Sequence, residues 1–245
     1  MLEPPVAVWR VRDFVLAMGG GVLLATIVAI PTIGGSQSLF LVSAAIAQYA
    51  GHLGIIWLLA RRRGGLASLG FRVEGRDILW IPLGLGLQLT LPLLFFPLGQ
   101  LVGEDPGGQV IGEELRALDT TAARLILAVT IGIAAPVTEE LLFRGILLRA
   151  LLPNRARSAA WIVAAVFAVF HIFGLAGNLG RALVTTMPVF FLVGLILANL
   201  TIRRNRLGPA IFVHAGFNLL GLFVLLLPED VLEETLRELT TTTGG

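Results

Sequence analysis

Seven long runs of apolar residues, separated by short polar segments, fill most of the chain. A helix needs about 20 apolar residues to span the hydrocarbon core of a bilayer. The runs of about this length are Phe14–Ile33, Leu39–Ala60, Ile78–Val102, Thr121–Ala150, Ala159–Ala176, Ala182–Ile202 and Leu207–Leu227. The pattern therefore predicts an all-α fold, a polytopic transmembrane helix bundle of about seven spans.

A short amphipathic segment follows the last run. After Pro228, the apolar residues Val231, Leu232, Leu236 and Leu239 recur at helical spacing between acidic residues. This pattern favours a short helix lying in the membrane interface. We expect residues 228–245 to form this C-terminal interfacial helix and a flexible tail of threonine and glycine.

The composition agrees with a membrane protein and narrows its partners. The chain is 56% hydrophobic and 14% charged, whereas about a quarter of the residues of a soluble domain are charged. It has no cysteine, which excludes disulfides and thiolate metal sites. The net charge of +2 comes from arginines scattered between apolar runs, so we expect membrane lipid and no nucleic acid as a partner. A chain rich in Ala, Leu, Gly and Arg without lysine favours a bacterial origin.

The arginines also set the predicted orientation, because loops rich in arginine stay in the cytoplasm. With a cytoplasmic N-terminus, the clusters within Arg10–Arg12, Arg61–Arg63, Arg155–Arg157 and Arg203–Arg206 all fall on the cytoplasmic side. The acidic loop Gly103–Asp119 then falls outside. The sequence thus predicts a multi-pass protein of the cell membrane with its C-terminus outside.

Five ionisable residues interrupt the last spans: Glu139, Glu140, Arg144, His171 and His214. An ionisable group at the centre of a bilayer costs about 2.5–3.5 kcal/mol on insertion scales, so such groups face the bundle interior and meet one another. On all three helices they lie about 12–21 Å from the predicted cytoplasmic end, at a rise of 1.5 Å per residue. We therefore expect these side chains to converge in the cytoplasmic half of the membrane.

Helical spacing indicates partners within this group. Glu140 and Arg144 lie four residues apart on one helix face, so the arginine can hold that carboxylate in place and ionised. Glu139 is rotated by about 100° and is left for another partner. His214 and Asn218 are also four residues apart and offer two hydrogen-bonding groups on one face.

Carboxylates, imidazoles and an amide suit the activation of water. A glutamate can accept a proton from water while a histidine orients that water, and a second histidine with an asparagine can donate hydrogen bonds to a developing oxyanion. Glu139, His171 and His214 are also candidate metal ligands, since two histidines and one glutamate form a common catalytic zinc site. The residues leave open whether the protein binds zinc or no cofactor.

Three short motifs in these spans resemble those of a known family. They are EExxxR with a following glycine (Glu139, Glu140, Arg144 and Gly145), FxxxH (Phe167 and His171) and HxxxN (His214 and Asn218). In this order, from about Thr120 to Leu222, they resemble the CAAX-protease and bacteriocin-processing family of intramembrane endopeptidases, also called abortive-infection proteins.

This resemblance implies an enzyme that hydrolyses peptide bonds of a membrane-associated peptide or protein, which is prenylated in the substrates of eukaryotic relatives. Glu139 would be the catalytic base, paired with His171 around the attacking water. His214 and Asn218 would donate hydrogen bonds to the developing oxyanion. Glu140, Arg144 and Phe167 would support the site.

On this interpretation the chain has three parts. Residues 1–119 carry three N-terminal spans and the acidic external loop, residues 120–227 form the catalytic transmembrane core, and residues 228–245 form the interfacial helix and tail. Two other functions would use the same residues. One is a proton-coupled transporter, since intramembrane Glu and His also form proton relays; the other is a non-enzymatic membrane adaptor or immunity protein that binds a partner.

Overall fold

The computed structural model describes residues 9–101, 118, 120–155, 158–172, 180 and 182–226. Within these ranges the chain forms a bundle of seven helices: α1 (Val11–Ala29), α2 (Gln37–Arg61), α3 (Ile81–Leu101), α4 (Thr121–Arg155), α5 (Ala159–Ile172), α6 (Met187–Arg204) and α7 (Gly208–Leu226). Short 3-10 turns lie at Ile30–Thr32, Leu66–Leu69 and Gly75–Trp80, and a π-helical turn, Ala182–Thr186, leads into α6. The predicted all-α polytopic bundle is confirmed.

Five of the described helices are long and apolar enough to cross a membrane, namely α1, α2, α3, α4 and α6, counted with the turns that extend them. The other two, α5 and α7, are apolar but shorter. All seven predicted spans thus coincide with helices, and five of these helices have the length of a full crossing. The predicted acidic loop at 103–119, apart from Leu118, and the predicted C-terminal helix at 228–245 lie outside the described residues.

The helix α4 is 35 residues long and departs from α geometry twice, at the π-helical segments Thr130–Ala134 and Glu140–Leu147. In the first segment the amide of Ala135 donates to the carbonyl of Thr130, five residues back. The next residue, Pro136, has no amide hydrogen. The helical ladder therefore supplies no donor to the carbonyl of Ile131.

The second π-helical segment of α4 lies at the centre of the largest apolar core. Its Phe143 packs edge-on against Phe14 of α1 and Phe167 of α5, with ring centroids 5.3 and 5.1 Å apart. Edge-to-face pairs of this kind attract each other beyond the area that they bury. Apolar side chains therefore surround the two charged residues of the same segment, Glu140 and Arg144, which are fully buried.

The helices α3 and α7 approach closely at two glycines. A Cβ atom at Gly84 would overlap the carbonyl oxygen of Val213, and a Cβ atom at Gly216 would overlap that of Ile81. Small residues allow this close contact between membrane helices. The contact fixes the turn of α7 that carries His214.

The arginine-bearing ends of the helices lie together at one end of the bundle. The guanidinium Nε of Arg149 donates to the carbonyl of Leu69 at 2.9 Å, and the amide of Leu207 donates to the carbonyl of Gly70 at 2.9 Å. The segments predicted to face the cytoplasm are therefore on the same side, as a single orientation requires. The direction in which this end faces stays a prediction.

We expect Gly84→Ala to destabilise the bundle by about 1–3 kcal/mol, because the added methyl group overlaps the backbone of α7. Gly86→Ala is the matched control, since no atom lies within 4 Å of a Cβ at that position and both changes raise helix propensity equally. Thermal unfolding of the two variants in detergent measures the difference. Equal stability of the two variants would contradict the close packing of α3 on α7.

Candidate active site

The structure brings four of the predicted site residues together in one polar cluster inside the bundle. The helix α4 contributes Glu139 and Glu140, α5 contributes His171, and α7 contributes His214. The Oε2 atom of Glu139 lies 3.6 Å from Nε2 of His171 and 3.8 Å from Nε2 of His214. On the other side of the His214 ring, Nδ1 lies 2.9 Å from Oε1 of Glu140. The two imidazoles therefore face the same carboxylate.

Glu140 is the centre of a buried hydrogen-bond network. Its Oε1 atom accepts from Nη1 of Arg144 at 2.7 Å and from Nδ1 of His214 at 2.9 Å. The side chains of Glu140 and Arg144 are 0% exposed and that of His214 is 2% exposed. A carboxylate can stay ionised at such a place only if it is paired and hydrogen-bonded, and here the arginine one turn away supplies the opposite charge.

The guanidinium of Arg144 connects α4 to two other helices. Its Nη2 atom donates to the carbonyl of Gly194 on α6 at 3.1 Å. Its flat face lies over the ring of Phe167 on α5, 4.5 Å from the centroid, a favourable cation–π geometry. The arginine thus neutralises Glu140 and at the same time fixes the position of α6. Phe167, the first residue of the FxxxH motif, is thus in contact with Arg144; its role in supporting the site stays a prediction.

Glu139 and His171 form the accessible side of the cluster, since their side chains are 19% and 23% exposed. The 3.6 Å between Glu139 Oε2 and His171 Nε2 is too long for a direct hydrogen bond. Polar atoms at this separation are suited to sharing a water molecule. Oε2 of Glu139 is itself buried and has no hydrogen-bond partner among the described residues.

The orientation of the His171 ring is fixed on both sides. Its Nδ1 atom lies 2.8 Å from the carbonyl of Phe167, and because a carbonyl only accepts, Nδ1 carries the proton in this pair. Nε2, which faces Glu139, is then the atom with a free lone pair. Phe190 of α6 stacks on the ring with centroids 4.1 Å apart and planes inclined by 22°. Phe190 was not predicted, because an aromatic residue in an apolar span has no distinguishing sequence signal.

Asn218 is placed differently from His214, although both lie on α7. Its Nδ2 atom donates to the carbonyl of Ile131 at 2.9 Å. This is the carbonyl that Pro136 and the first π-helical segment leave without a donor in α4. The asparagine therefore ties α7 to α4 one turn away from the cluster. This N–H of its amide binds backbone and does not take part in the cluster.

The described residues contain no group of three or more His, Asp or Glu side chains arranged to hold a metal ion. Oε2 of Glu139 nevertheless lies 3.6 Å from Nε2 of His171 and 3.8 Å from Nε2 of His214. By residue type these three remain the candidates for a metal site. The arrangement is, on its own, suited to holding a water molecule between a carboxylate and an imidazole.

A comparison with known protein families finds a match to the part of the chain that carries this cluster. Residues 121–220 match the family described as Rce1-like, type II CAAX prenyl endopeptidase Rce1-like. All three sequence motifs fall inside the matched segment, and the resemblance to CAAX proteases is confirmed. The match covers less than half of the chain, and it supports an intramembrane endopeptidase of the CAAX type in general. No curated protein and no solved structure matches the chain.

We expect Arg144→Met to destabilise the protein by about 3–5 kcal/mol, because it leaves the buried carboxylate of Glu140 without its countercharge. The double variant Glu140→Leu/Arg144→Met removes both charges and is expected to recover most of this loss. Arg72→Met is the control at an ion pair whose arginine is 74% exposed, where we expect a change within about 0.5 kcal/mol. Unfolding in detergent measures all three; a double variant no more stable than Arg144→Met would contradict the pairing.

Proposed function

We propose that the chain is an intramembrane endopeptidase in which Glu139 is the general base and His171 orients the attacking water. The observation that carries this proposal is the 3.6 Å separation of Glu139 Oε2 from His171 Nε2. Both are acceptor atoms, because the Phe167 carbonyl keeps the ring proton on Nδ1. Two acceptors at this separation suit one water molecule that donates a hydrogen bond to each.

In the proposed reaction this water is the nucleophile. Glu139 accepts one of its protons while the water oxygen attacks the carbonyl carbon of the scissile peptide bond, which gives a tetrahedral intermediate. The C–N bond then breaks, and Glu139 passes the proton to the leaving nitrogen. The carboxylate is regenerated, and the products are a new carboxyl terminus and a new amine.

His214 and Asn218 are proposed to act on the oxyanion of the intermediate. Glu140 accepts the Nδ1 proton of His214, which turns Nε2 of that ring toward Glu139 and the substrate; when Nε2 is protonated, it donates to the oxyanion. The Asn218 amide retains a second N–H beside the one that binds Ile131. One donor of this kind is typically worth about 10²–10³-fold in kcat.

The proposed substrate is a peptide or protein held at the membrane, and the family description points to a prenylated one. Glu139 lies ten residues before Arg149 on α4, and so deeper in the bundle than the arginine-rich end. With the predicted orientation, the substrate reaches the site from the cytoplasmic side. The lipid chain of such a substrate would keep the cleaved bond near that depth.

We expect Glu139→Gln and His171→Gln each to lower peptide cleavage by about 10²–10⁴-fold, because each keeps the size of the side chain and removes its role in proton transfer or water orientation. The assay is the cleavage of a panel of lipidated and unlipidated peptides by the purified protein in liposomes. Unimpaired cleavage by folded Glu139→Gln would show that this residue is not the base.

Glu74→Gln is the matched control, because it makes the same carboxylate-to-amide change outside the cluster, at the ion pairs with Arg72 and Arg76. We expect its cleavage rate to stay close to that of the unaltered protein. A parallel series with a chelator tests metal dependence. Loss of cleavage that zinc restores would assign Glu139, His171 and His214 to a metal instead.

Phe190→Leu is expected to lower kcat by about 10- to 100-fold with little change in KM, because the His171 ring loses the stack that orients it and small misplacements cost rate. Phe191→Leu is the matched control at the next residue, where the aromatic ring packs against Trp161, 5.8 Å between centroids, away from the cluster. Steady-state kinetics on one peptide compares the two. Equal losses in both variants would contradict the positioning role of Phe190.

A further inference from the structure

An apolar groove runs along the outer face of the bundle between α3 and α6. Its volume is about 580 Å³, within the range of ligand pockets, and its walls include Leu83 of α3 and Leu195, Ile196 and Leu200 of α6. At the end nearest the arginine-rich loops the groove is bounded by Arg203 and Arg204, with Trp80 opposite. The groove therefore has a long apolar part and a cationic mouth.

A second, more polar cavity adjoins this mouth. Its volume is about 370 Å³, and it shares Trp80 and Arg204 with the groove. Its other lining residues include Arg76, Asp77 and Arg206. Trp80 and Arg204 therefore lie between the apolar groove and the polar cavity.

The mouth of the groove has more arginines than carboxylates. Arg206 donates to buried Asp77, with Nη2 2.7 Å from Oδ1, and this hydrogen bond raises the pKa of Arg206 above its ordinary value. Arg76 is paired with Glu74 at 2.6 Å. In contrast, no carboxylate in the described part of the chain pairs with Arg203 or Arg204, both of which are exposed.

Arg204 is nevertheless held in place, because its guanidinium lies over the ring of Trp80, 5.3 Å from the centroid. Tryptophan is enriched at the level of lipid headgroups, so we expect this pair at the depth of the membrane interface. Arginine forms paired hydrogen bonds with phosphate oxygens. Basic pockets between membrane helices on the cytoplasmic side bind anionic headgroups.

We propose that this groove binds an anionic phospholipid, with its phosphate on Arg203 and Arg204 and one acyl chain along Leu83, Leu195 and Leu200. The inner face of the same helix, α6, carries Phe190 and Gly194, which contact the catalytic cluster. The lipid lies on the opposite face and touches none of those residues. The proposal therefore stands independently of the proteolytic mechanism.

The test is binding of fluorescent phosphatidylglycerol and phosphatidylcholine to the full chain in detergent. We expect the unaltered protein to prefer phosphatidylglycerol, and Arg203→Gln/Arg204→Gln to weaken that binding by about 10- to 30-fold, since each basic residue near an anionic lipid contributes about a factor of five. Ile196→Trp, which fills the groove and leaves the charges in place, should also weaken binding. Unfolding curves establish that both variants are folded.

The matched control is Arg61→Gln/Arg62→Gln, which removes two exposed arginines at the same end of the bundle, one of them also over a tryptophan, Trp57, at 4.5 Å. We expect this control to bind phosphatidylglycerol nearly as well as the unaltered protein. Equal losses in the two double variants, or equal affinity for the two lipids, would overturn the proposal. Displacement of the lipid by an equimolar prenylated peptide would also overturn it, because the groove would then hold substrate.

Discussion

Glu140 is a carboxylate inside a bundle of apolar helices, and its neutralisation organises the residues around it. Arg144 supplies the charge, and the same guanidinium reaches the carbonyl of Gly194 and the face of Phe167, so α4, α5 and α6 are connected through one side chain. His214 binds the same carboxylate oxygen from α7. Because Glu140 is occupied by Arg144 and His214, the neighbouring carboxylate of Glu139 is the one that faces the two imidazoles. The proposed chemistry of Glu139 therefore depends on Glu140, which itself takes no part in the reaction.

The irregular backbone of α4 also helps to position the residues of the site, because it provides a contact for α7. Pro136 and the first π-helical segment free the carbonyl of Ile131, and Asn218 occupies it from α7. Close packing at Gly84 and Gly216 holds α7 against α3 on its other side. The turn that carries His214 is therefore fixed by two contacts that are independent of the charged cluster, which allows an imidazole to be placed accurately between two carboxylates.

Much of this could be predicted from the sequence, because the determining patterns are local. Apolar runs predict the helices, i,i+4 spacing predicts the Glu140–Arg144 pair, and similar depth on three spans predicts that Glu139, His171 and His214 meet. The contacts of Phe190, Gly194 and Ile131 could not be predicted. Gly194 and Ile131 use their backbone carbonyls, and Phe190 uses an aromatic ring in an apolar helix. Which of these groups meets a site residue depends on how segments distant in sequence pack, and no sequence pattern distinguishes them.

The central claim is that Glu139 and His171 act on one water molecule, and a double-mutant cycle tests it most directly. The measurement is kcat/KM for Glu139→Gln, His171→Gln and the double variant on one cleaved peptide, with long incubations for the residual rates. Groups that act as a unit give strongly non-additive losses. We predict that the double variant is no slower than the slower single variant. Losses that multiply would contradict a shared water.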